Sequence, residues 1–482
     1  MDIPRPSGLS RRALLRRGLA VLLLVLLLPA AYSAVATDPV ELGPGTVEQP
    51  AENTTYVSVQ GFHFAGYGKP KKPARLVAAD ENAELKWRFD GDSVGANWFY
   101  EVDTLPNGNL FVTSTHADGT VVFEYDPETQ EPVWTYELPG VLDTHNVNLL
   151  SDRRLLVAHM RAYDGEVSND RLYVENTTSG ETEWEWVFHD HYPNGTDGGF
   201  SEDWTHVNDV DVLDGEGRSG ASPSEERYVL TSPRNFDQVI VVDRETDEVV
   251  MRLGSDDDYA TLFEQHNPEY LEREDGTPVL VVADSENDRV VEYERDCGGA
   301  DPRLGAGTPP ERCEWNRTWS VGGFNWPRDA DRLPNGNTLV TDTLNHRVVE
   351  ITPEGEVVWE FYAAWAPYDA ERGAEGANGP TMSDHGTTGN FTVSGGGAEG
   401  PASEYSVGDG ISDLGSYTPW SDAFDGLATR YSHIEPFFRP VGIGSWAFLS
   451  LVLGLLVGLC WGVGEVVVHR RRIADGVRER LA

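Results

Sequence analysis

The stretches DSENDRVVEY (Asp284–Tyr293) and DTLNHRVVEI (Asp342–Ile351) are two copies of one phrase, fifty-eight residues apart. A second phrase, LPNGN, occurs at Leu105–Asn109 and again at Leu333–Asn337. Each LPNGN lies between an alternating apolar stretch and a β-branched one, as a hairpin turn requires. Phrases that recur in this way indicate a fold assembled from repeated antiparallel sheets.

Outward from these phrases, the chain shows a unit of four strands in which the third is rich in Val and the fourth carries Trp. Five units start near Tyr100, Asn146, Val207, Asn267 and Asp329, and a sixth is assembled from 56–64 and 76–89. Six such sheets, spaced by roughly 40 to 60 residues, predict an all-β fold: a six-bladed β-propeller over residues 55–362, with transmembrane segments at both ends of the chain. We expect the N-terminal strand to close the ring with the last blade. The phrase NHRVVE also resembles an NHL-type propeller repeat.

The two ends of the chain are apolar. Residues 1–36 contain Arg11-Arg12, which resembles a twin-arginine export motif, and then a long apolar run; this segment is interpreted as a signal peptide or an N-terminal membrane anchor. Residues 441–468 predict a transmembrane helix, and the basic tail 469–482 that follows is predicted to be cytoplasmic. Basic residues precede the first apolar segment and follow the second, which predicts that both ends of the chain are cytoplasmic. We therefore expect a cell-membrane protein with its propeller on the extracellular side.

The composition is strongly acidic, with a formal net charge of −43 at pH 7. Such a surface repels phosphate backbones, which excludes nucleic acid as a partner. Charge of this size, spread along the whole chain, favours a halophilic protein kept soluble by hydrated carboxylates. Residues 363–440 are rich in Gly and acidic residues and predict a flexible linker; a seventh blade is the alternative.

Three cysteines give no indication of a redox or zinc centre. Cys297 and Cys313 flank a Gly- and Pro-rich excursion in the region predicted to be exported, so we expect a local disulfide. Cys460 lies in the predicted membrane helix. Neither a CxxC motif nor a His/Cys cluster is present, and no metal site is predicted.

The predicted active-site residues lie in loops that share one face of a propeller. The loops that enter the first strands of three successive blades contain His145, His206 and His266, and the corresponding loop of the last blade contains Arg328. Arg234 lies in a loop between second and third strands, on the same predicted face. This cationic cluster in an anionic protein predicts a pocket for an anionic substrate group, with a His able to act as nucleophile or base. Trp204 and Trp326 are predicted to stack on an aryl ring.

Three phrases resemble motifs of the arylsulfotransferase family over roughly residues 55–362. They are Asp203–Asn208 (DWTHVN), Ser232–Asn235 (SPRN) and Gln265-His266. The resemblance implies transfer of sulfate from an aryl sulfate to a phenol through a sulfohistidine, without a nucleotide donor or a cofactor. It implies that His266 is the nucleophile and that His145 assists proton transfer or charge stabilisation. It also implies that His206, Asn208 and Arg234 hold the sulfuryl oxygens. Pro233 and the C-terminal membrane helix depart from the family pattern.

Two other functions stay open at this point. A non-catalytic extracellular propeller could bind a ligand or a protein through the same face. A pyrroloquinoline quinone dehydrogenase is less consistent with the sequence, since that class needs more than six blades. His346 stands in the repeated phrase where its counterpart is Asp288, so it is interpreted as structural.

Overall fold

The structure is a computed structural model that describes residues 11–36, 41–62, 72–150, 153–213, 226–373, 379–396 and 405–481, with side chains up to 470. It divides into two compact units. The larger unit spans 41–399, and the smaller combines 1–40 with 400–482. Ser10 of the twin-arginine-like motif and residues 63–64 of the predicted sixth unit lie outside the described residues.

The described part of the larger unit is almost entirely β-structure. Its first strands are β1 (Leu42–Val47), β2 (Thr55–Val59), β3 (Arg75–Ala79), β4 (Leu85–Phe89), β5 (Phe99–Thr104), β6 (Leu110–His116), β7 (Gly119–Asp126), β8 (Glu131–Pro139), β9 (Val147–Leu149), β10 (Arg154–His159), β11 (Tyr163–Asp164), β12 (Val167–Ser168), β13 (Arg171–Asn176) and β14 (Glu181–Val187). The later strands are β15 (Val207–Leu213), β16 (Tyr228–Pro233), β17 (Gln238–Asp243), β18 (Glu248–Gly254), β19 (His266–Glu272), β20 (Pro278–Asp284), β21 (Arg289–Asp296), β22 (Glu314–Gly322), β23 (Asp329–Arg332), β24 (Thr338–Asp342), β25 (Arg347–Ile351), β26 (Val357–Ala363), β27 (Pro367–Arg372) and β28 (Gly389–Thr392).

The helices are few and mostly terminal. The smaller unit contains α1 (Arg11–Ala36), α4 (Val407–Ser416), α5 (Ser421–Phe438) and α6 (Ser445–Leu481). The larger unit contains the one-turn helices α2 (Phe188–His191) and α3 (Met382–His385).

Six sheets form the blades of a β-propeller, as the sequence predicts. Blade 1 has the strand order β27-β2-β3-β4, blade 2 is β5-β6-β7-β8, and blade 3 is β9-β10-β13-β14. Blade 4 is β15-β16-β17-β18, blade 5 is β19-β20-β21-β22 with β28 added, and blade 6 is β23-β24-β25-β26 with β1 added. The predicted starts of five units coincide with the innermost strands β5, β9, β15, β19 and β23.

The hydrophobic core lies between neighbouring blades. Trp359 and Phe361 of blade 6, for example, pack with Val57 and Val77 of blade 1. Because side chains alternate along a strand, each blade presents apolar residues to both neighbours, and this explains the Val-rich third strands. The Trp residues of the fourth strands are part of this packing; Trp319 and Trp359 are fully buried.

Two strands close the ring. β1 pairs with β26 at the outer edge of blade 6, so the N-terminal strand does join the last blade. β27 pairs with β2 and forms the innermost strand of blade 1. The predicted propeller boundary at residue 362 is therefore too short, because it omits the strand that completes blade 1.

The predicted linker 363–440 is wrong in most of its described length. Besides β27, it contains β28, which pairs in parallel with β22 of blade 5, and the helices α4 and α5. Helix α4 begins with a capping box in which Ser406 and Asp409 bond each other's backbone N–H groups. Gly and acidic residues mask these elements in the sequence, since neither residue type contributes to an apolar periodicity.

The repeated phrase encodes one turn in two blades. Ser285–Asn287 and Thr343–Asn345 each form a single 3₁₀ turn, followed by Asp288 and His346 with φ of 52° and 58°. His346 accepts a hydrogen bond from the Ala366 backbone N–H, which fits the structural role that the sequence suggests for it. Cys297 and Cys313 form the expected disulfide.

In the smaller unit, α1 and the first part of α6 are long and apolar enough to cross a membrane, with mean hydropathies of 2.5 and 2.3. The two helices pack together: Ser450 Oγ donates to the Leu26 carbonyl, and Arg16 forms an ion pair with Glu465. The sequence therefore locates both candidate spans, although the second helix begins four residues later than predicted.

Candidate active site

One residue at the start of each innermost strand faces the propeller axis, and together these residues form what we name the histidine ring. Its members, in blade order from blade 1, are Tyr368, Tyr100, His145, His206, His266 and Arg328. All six are at least nine-tenths buried. The structure thus brings the three predicted histidines into one cluster, although 121 residues separate His145 from His266.

Ring contacts connect the members of the histidine ring. The His145 ring centroid lies 5.0 Å from that of His206 and 5.2 Å from that of Tyr368. The Tyr368 hydroxyl lies 2.8 Å from His145 Nδ1. The His266 ring lies 6.0 Å from Tyr368, and Tyr100 lies 4.1 Å from His145. The two tyrosines come from blades in which no site residue was predicted.

His266 is held by a serine of the repeated phrase. Its Nδ1 lies 2.8 Å from Ser285 Oγ, which itself lies 2.7 Å from the carbonyl oxygen of Pro327. The carbonyl can only accept, so Ser285 donates to it and Nδ1–H of His266 donates to Ser285. The lone pair of the neutral ring is then on Nε2. Burial, followed by the charges of Arg328 and Arg234, lowers the pKa of His266 well below its usual value and keeps the ring neutral.

His206 is paired with a carboxylate. Its Nδ1 lies 2.9 Å from both oxygens of Asp203. Burial and the charge of Arg234 lower the pKa of His206 to about 4, against the raising effect of Asp203. Burial alone raises the pKa of Asp203, but His206 and the nearby arginines lower it to about 2. Asp203 is therefore ionised and accepts the Nδ1 proton.

The sequence did not predict a partly buried ion network behind these rings. Arg161 Nε lies 3.0 Å from Asp143, and its terminal nitrogen lies 3.4 Å from Asp203. The hydroxyl of Tyr100 donates to Asp143 at 2.6 Å. Asp203 begins the phrase DWTHVN, and Asp143 lies two residues before His145. Arg161 occupies a loop between second and third blade strands, like Arg234. These positions are visible in the sequence, but nothing in the sequence distinguishes these two carboxylates from the other acidic residues of the chain.

Burial and like charges also act on His145. Burial first, then the neighbouring His206, Arg328, His266 and Arg234, lower the pKa of His145 well below its usual value. Four neighbouring groups thus act on the pKa of one imidazole, because the members of the cluster lie close together. All three histidines are neutral at pH 7, so each ring has one N–H and one lone pair.

Arg328 is the buried cation available to a ligand. Its Nη1 donates to Gln60 Oε1 at 2.6 Å, and its guanidinium lies over Trp326 and Tyr368. Its Nε is buried without a hydrogen-bond partner among the described residues. Arg234, in contrast, forms an ion pair with Glu264. A ligand that uses Arg234 must therefore compete with a carboxylate.

Asn208 is placed less favourably for a ligand than the resemblance implies. It is fully buried on β15, and its Nδ2 donates to the backbone carbonyl of Gln265 at 2.9 Å. This hydrogen bond links blade 4 to the residue that precedes His266. The contact gives Asn208 a clear role in holding the loop that presents the histidine.

Residues 49–288 match the family model of arylsulfotransferases (ASST). The matched stretch covers β2 to β20 and contains His145, His206, Arg234 and His266, whereas Arg328 and Tyr368 follow it. No curated protein matches the chain.

Solved structures resemble the chain only distantly. A periplasmic gluconolactonase of Pseudomonas aeruginosa is 15% identical, with 68% of this chain and 87% of that one covered and a TM-score of 0.38. A putative 6-phosphogluconolactonase of Bacteroides fragilis is 10% identical (67% and 99% covered, TM-score 0.41). An inactive virginiamycin B lyase variant of Staphylococcus aureus is 10% identical (67% and 85% covered, TM-score 0.37).

The two tryptophans predicted to stack on an aryl ring have different positions. Trp204 is fully buried, donates through Nε1 to the Thr196 carbonyl, and packs on Phe236. It is a core residue, so the stacking prediction is wrong for it. Trp326 is half-buried, and its ring lies 6.1 Å from His266. An aromatic substrate group next to His266 would therefore meet Trp326.

Proposed function

We propose that the protein is an arylsulfotransferase that moves a sulfuryl group from an aryl sulfate to a phenol through a covalent intermediate on His266. The observation that carries the proposal is the hydrogen-bonded, neutral His266, with its lone pair on Nε2, in a cationic ring. The family match over residues 49–288 supports this reaction class. Neither a cofactor nor a nucleotide is required, because the donor is itself an activated ester.

In the first half of the reaction, Nε2 of His266 attacks the sulfur of the donor. The N–S bond forms as the S–O bond to the aryl group breaks, and the electron pair leaves on the aryl oxygen. The displaced aryloxide takes a proton from water. Ser285 stabilises the positive charge that develops on the imidazole, because its oxygen accepts a hydrogen bond from Nδ1–H.

The negative charge on the sulfuryl oxygens requires fixed positive groups. Arg328 supplies a buried guanidinium, and Tyr368 donates to His145 Nδ1 so that His145 presents Nε2–H to the pocket. Arg234 joins them when the substrate displaces Glu264. A dry site makes such donors much stronger than they are in water. We therefore propose that Arg328, rather than Arg234 or His206, is the principal cation that binds the sulfuryl oxygens.

In the second half, the acceptor oxygen attacks sulfur, the S–N bond breaks, and its electron pair returns to Nε2. The phenolic proton must leave at the same time. His206 is suited to accept this proton because the ionised Asp203 stabilises the resulting imidazolium. His206 then gives this proton to solvent, where it neutralises the hydroxide left when the aryloxide took its proton from water. The sum is an exchange of one phenol for another on sulfate.

We further propose that α1 and α6 anchor the protein in a membrane with the propeller outside the cell. Arg11, Arg12, Arg16 and Arg17 precede the first apolar run, and Arg470–Arg472 follow the second. Lys and Arg are retained on the cytoplasmic side, which places both flanks inside. External protease should therefore digest the propeller in intact cells, and propeller fragments protected from protease would contradict this topology.

The activity test uses the full-length protein in detergent and high salt, with 4-nitrophenyl sulfate as donor and phenol as acceptor. We expect phenol-dependent release of nitrophenol that is lost in His266→Ala and retained in His385→Gln, a matched change at an exposed His outside the pocket. Mass spectrometry after donor alone should find one SO3 group on the His266 peptide. Saturable binding of aryl sulfates without turnover by any donor would instead support the non-catalytic propeller.

A further inference from the structure

Two further rings of side chains lie below the histidine ring. The upper acidic ring consists of Glu101, Asn146, Asp209, Asn267, Asp329 and Asp369. The lower acidic ring consists of Asp103, Asn148, Asp211, Glu269, Asp331 and Glu371. Each blade gives one member to each ring, and all twelve line a single cavity of about 750 Å³.

The spacing in the sequence explains the two rings. In every blade the two members are separated by one residue and lie on the innermost strand or directly before it, as in Glu101 and Asp103 or Asp329 and Asp331. Alternate side chains of a strand point to the same face, so both members point into the channel while the residue between them packs in the blade. A rise of about 3.3 Å per residue separates the rings by roughly 7 Å.

Nine of the twelve side chains are carboxylic acids, and the basic residues that line the channel are too few to neutralise them. Among the described residues, the lining contains the arginines Arg332 and Arg372. The Arg332 guanidinium lies 3.1 Å from Glu292, and that of Arg372 lies 2.7 Å from Glu350. Neither glutamate lines the channel, so both cations are paired with carboxylates outside it. Within the channel, Arg332 also acts on Glu269, which accepts a hydrogen bond from its backbone N–H.

The asparagines of the upper ring add unpaired acceptors. Asn146 Nδ2 donates to Asp209 at 2.8 Å, and Asn267 Nδ2 lies 3.3 Å from Glu101. The Oδ1 atoms of both asparagines are buried and have no hydrogen-bond partner among the described residues. Asn146 is 4% exposed and Asn267 is 7% exposed. An unpaired buried oxygen is costly, and a cationic donor in the channel would satisfy it.

Burial and mutual repulsion make the ionised rings unfavourable without a counter-ion. Burial first, and then neighbouring carboxylates, raise the pKa of Glu101, Asp209, Asp329 and Asp369 well above the usual range. In the lower ring, burial raises the pKa of Asp103 and Asp331 to about 7. A cation that entered would favour ionisation and release protons.

We propose that the channel formed by the two acidic rings is a binding site for an organic cation with two or more ammonium groups, of the aliphatic polyamine class. Among the described residues, no three His, Cys, Asp or Glu side chains are placed to ligate one metal ion. The negative charge is instead spread over two levels, and a short diamine spans a similar distance between its ammonium groups. The cavity also has the volume of a small-molecule site rather than of a single ion.

The test is calorimetric titration of spermidine into the full-length protein in detergent near neutral pH. Two buffers of different ionisation enthalpy report the protons released. We expect saturable binding with net proton release, and a rise in Tm that butylamine, with one charge, does not give at the same ionic strength. Replacing both Asp329 and Asp369 by Asn should weaken spermidine binding at least about tenfold, because the loss of even one charge-assisted hydrogen bond has an effect of that size.

Glu354→Gln is the matched control, since it removes one carboxylate from an exposed turn and should leave spermidine binding unchanged. Equal binding of spermidine and butylamine would overturn the proposal. So would proton release by Ca²⁺ or Mg²⁺ equal to that by spermidine, which would assign the channel to metal ions. None of these readouts uses sulfotransfer, so they remain interpretable if the proposed enzymatic activity is absent.

Discussion

Ser285 Oγ lies 2.8 Å from Nδ1 of His266, and the same hydroxyl donates to the Pro327 carbonyl at 2.7 Å. One hydroxyl therefore fixes both the orientation and the tautomer of the proposed nucleophile, and it also links blade 5 to the loop that enters blade 6. Ser285 belongs to the repeated phrase that predicts the fold. Within that phrase, the blade-6 counterpart is Thr343, so the serine combines a structural position with a local function.

Ser285→Ala should lower kcat/KM for aryl sulfates by about tenfold or more, the loss typical for an outer hydrogen bond to an active histidine. Without the Ser285 hydroxyl as acceptor, the proton of His266 is no longer held on Nδ1, so the tautomer with its lone pair on Nε2 is no longer favoured. Steady-state kinetics measure the effect, and Ser285→Thr, which keeps the hydroxyl, should recover part of the rate. Unchanged kinetics in Ser285→Ala would show that the hydrogen bond has no role in orienting His266.

The pH dependence of sulfotransfer should show a plateau that extends below neutral pH. The lowered pKa of His266, and the pKa of His206 at about 4, keep both rings neutral at pH 6.5. Activity should therefore fall only as the pH decreases below 6.5 and the rings take up protons. Asp203 raises the pKa of His206, so Asp203→Asn should move this acid limb to lower pH. A limb centred at pH 6.5 or above would contradict the buried, neutral histidines.

Arg328 and Arg234 should differ in their contributions. Arg328→Met removes a buried cation with no carboxylate partner among the described residues, and we expect kcat/KM to fall about a hundredfold, as for a lost transition-state donor. Arg234→Met should cost less, because Arg234 is already paired with Glu264. Glu264→Gln should lower KM, since it releases Arg234 to the substrate. Equal losses for the two arginine variants would refute this ranking.

Stability should depend on the protonation of the lower acidic ring. The folded pKa of Asp331 is raised to about 7 from 3.8, so between these values the folded state holds a proton that the unfolded state releases. Stability then falls as the pH rises from about 4 to 7, by up to about 1.4 kcal/mol per pH unit for each such proton. Asp331→Asn should raise Tm at pH 8 and have little effect near pH 4. A Tm difference that does not vary with pH would contradict the raised pKa.

Particular residues show how far the sequence reaches. The repeated phrases and the Trp-bearing fourth strands predict the blades because a buried sheet requires alternation and tight turns, which are local properties. His145, His206 and His266 could be placed in one cluster because each lies at, or just before, the start of an innermost strand. Arg161 and Tyr368 were missed, since a loop arginine and an isolated tyrosine have no local feature that marks them as facing the axis. The strand Pro367–Arg372 was missed because it joins blade 1 from the other end of the chain.

By itself, the sequence determined the six blades, the two apolar terminal segments, the disulfide between Cys297 and Cys313, and the face on which three histidines gather. These features follow from periodicity and from the order of residues along one strand. Only the tertiary structure decided that Arg234 is paired with Glu264, whereas Arg328 has no carboxylate partner among the described residues. It also decided that Ser285 sets the tautomer of His266, and that twelve residues of six blades form two acidic rings. Those relationships depend on distances between strands far apart in the chain, and such distances are fixed only when the ring closes.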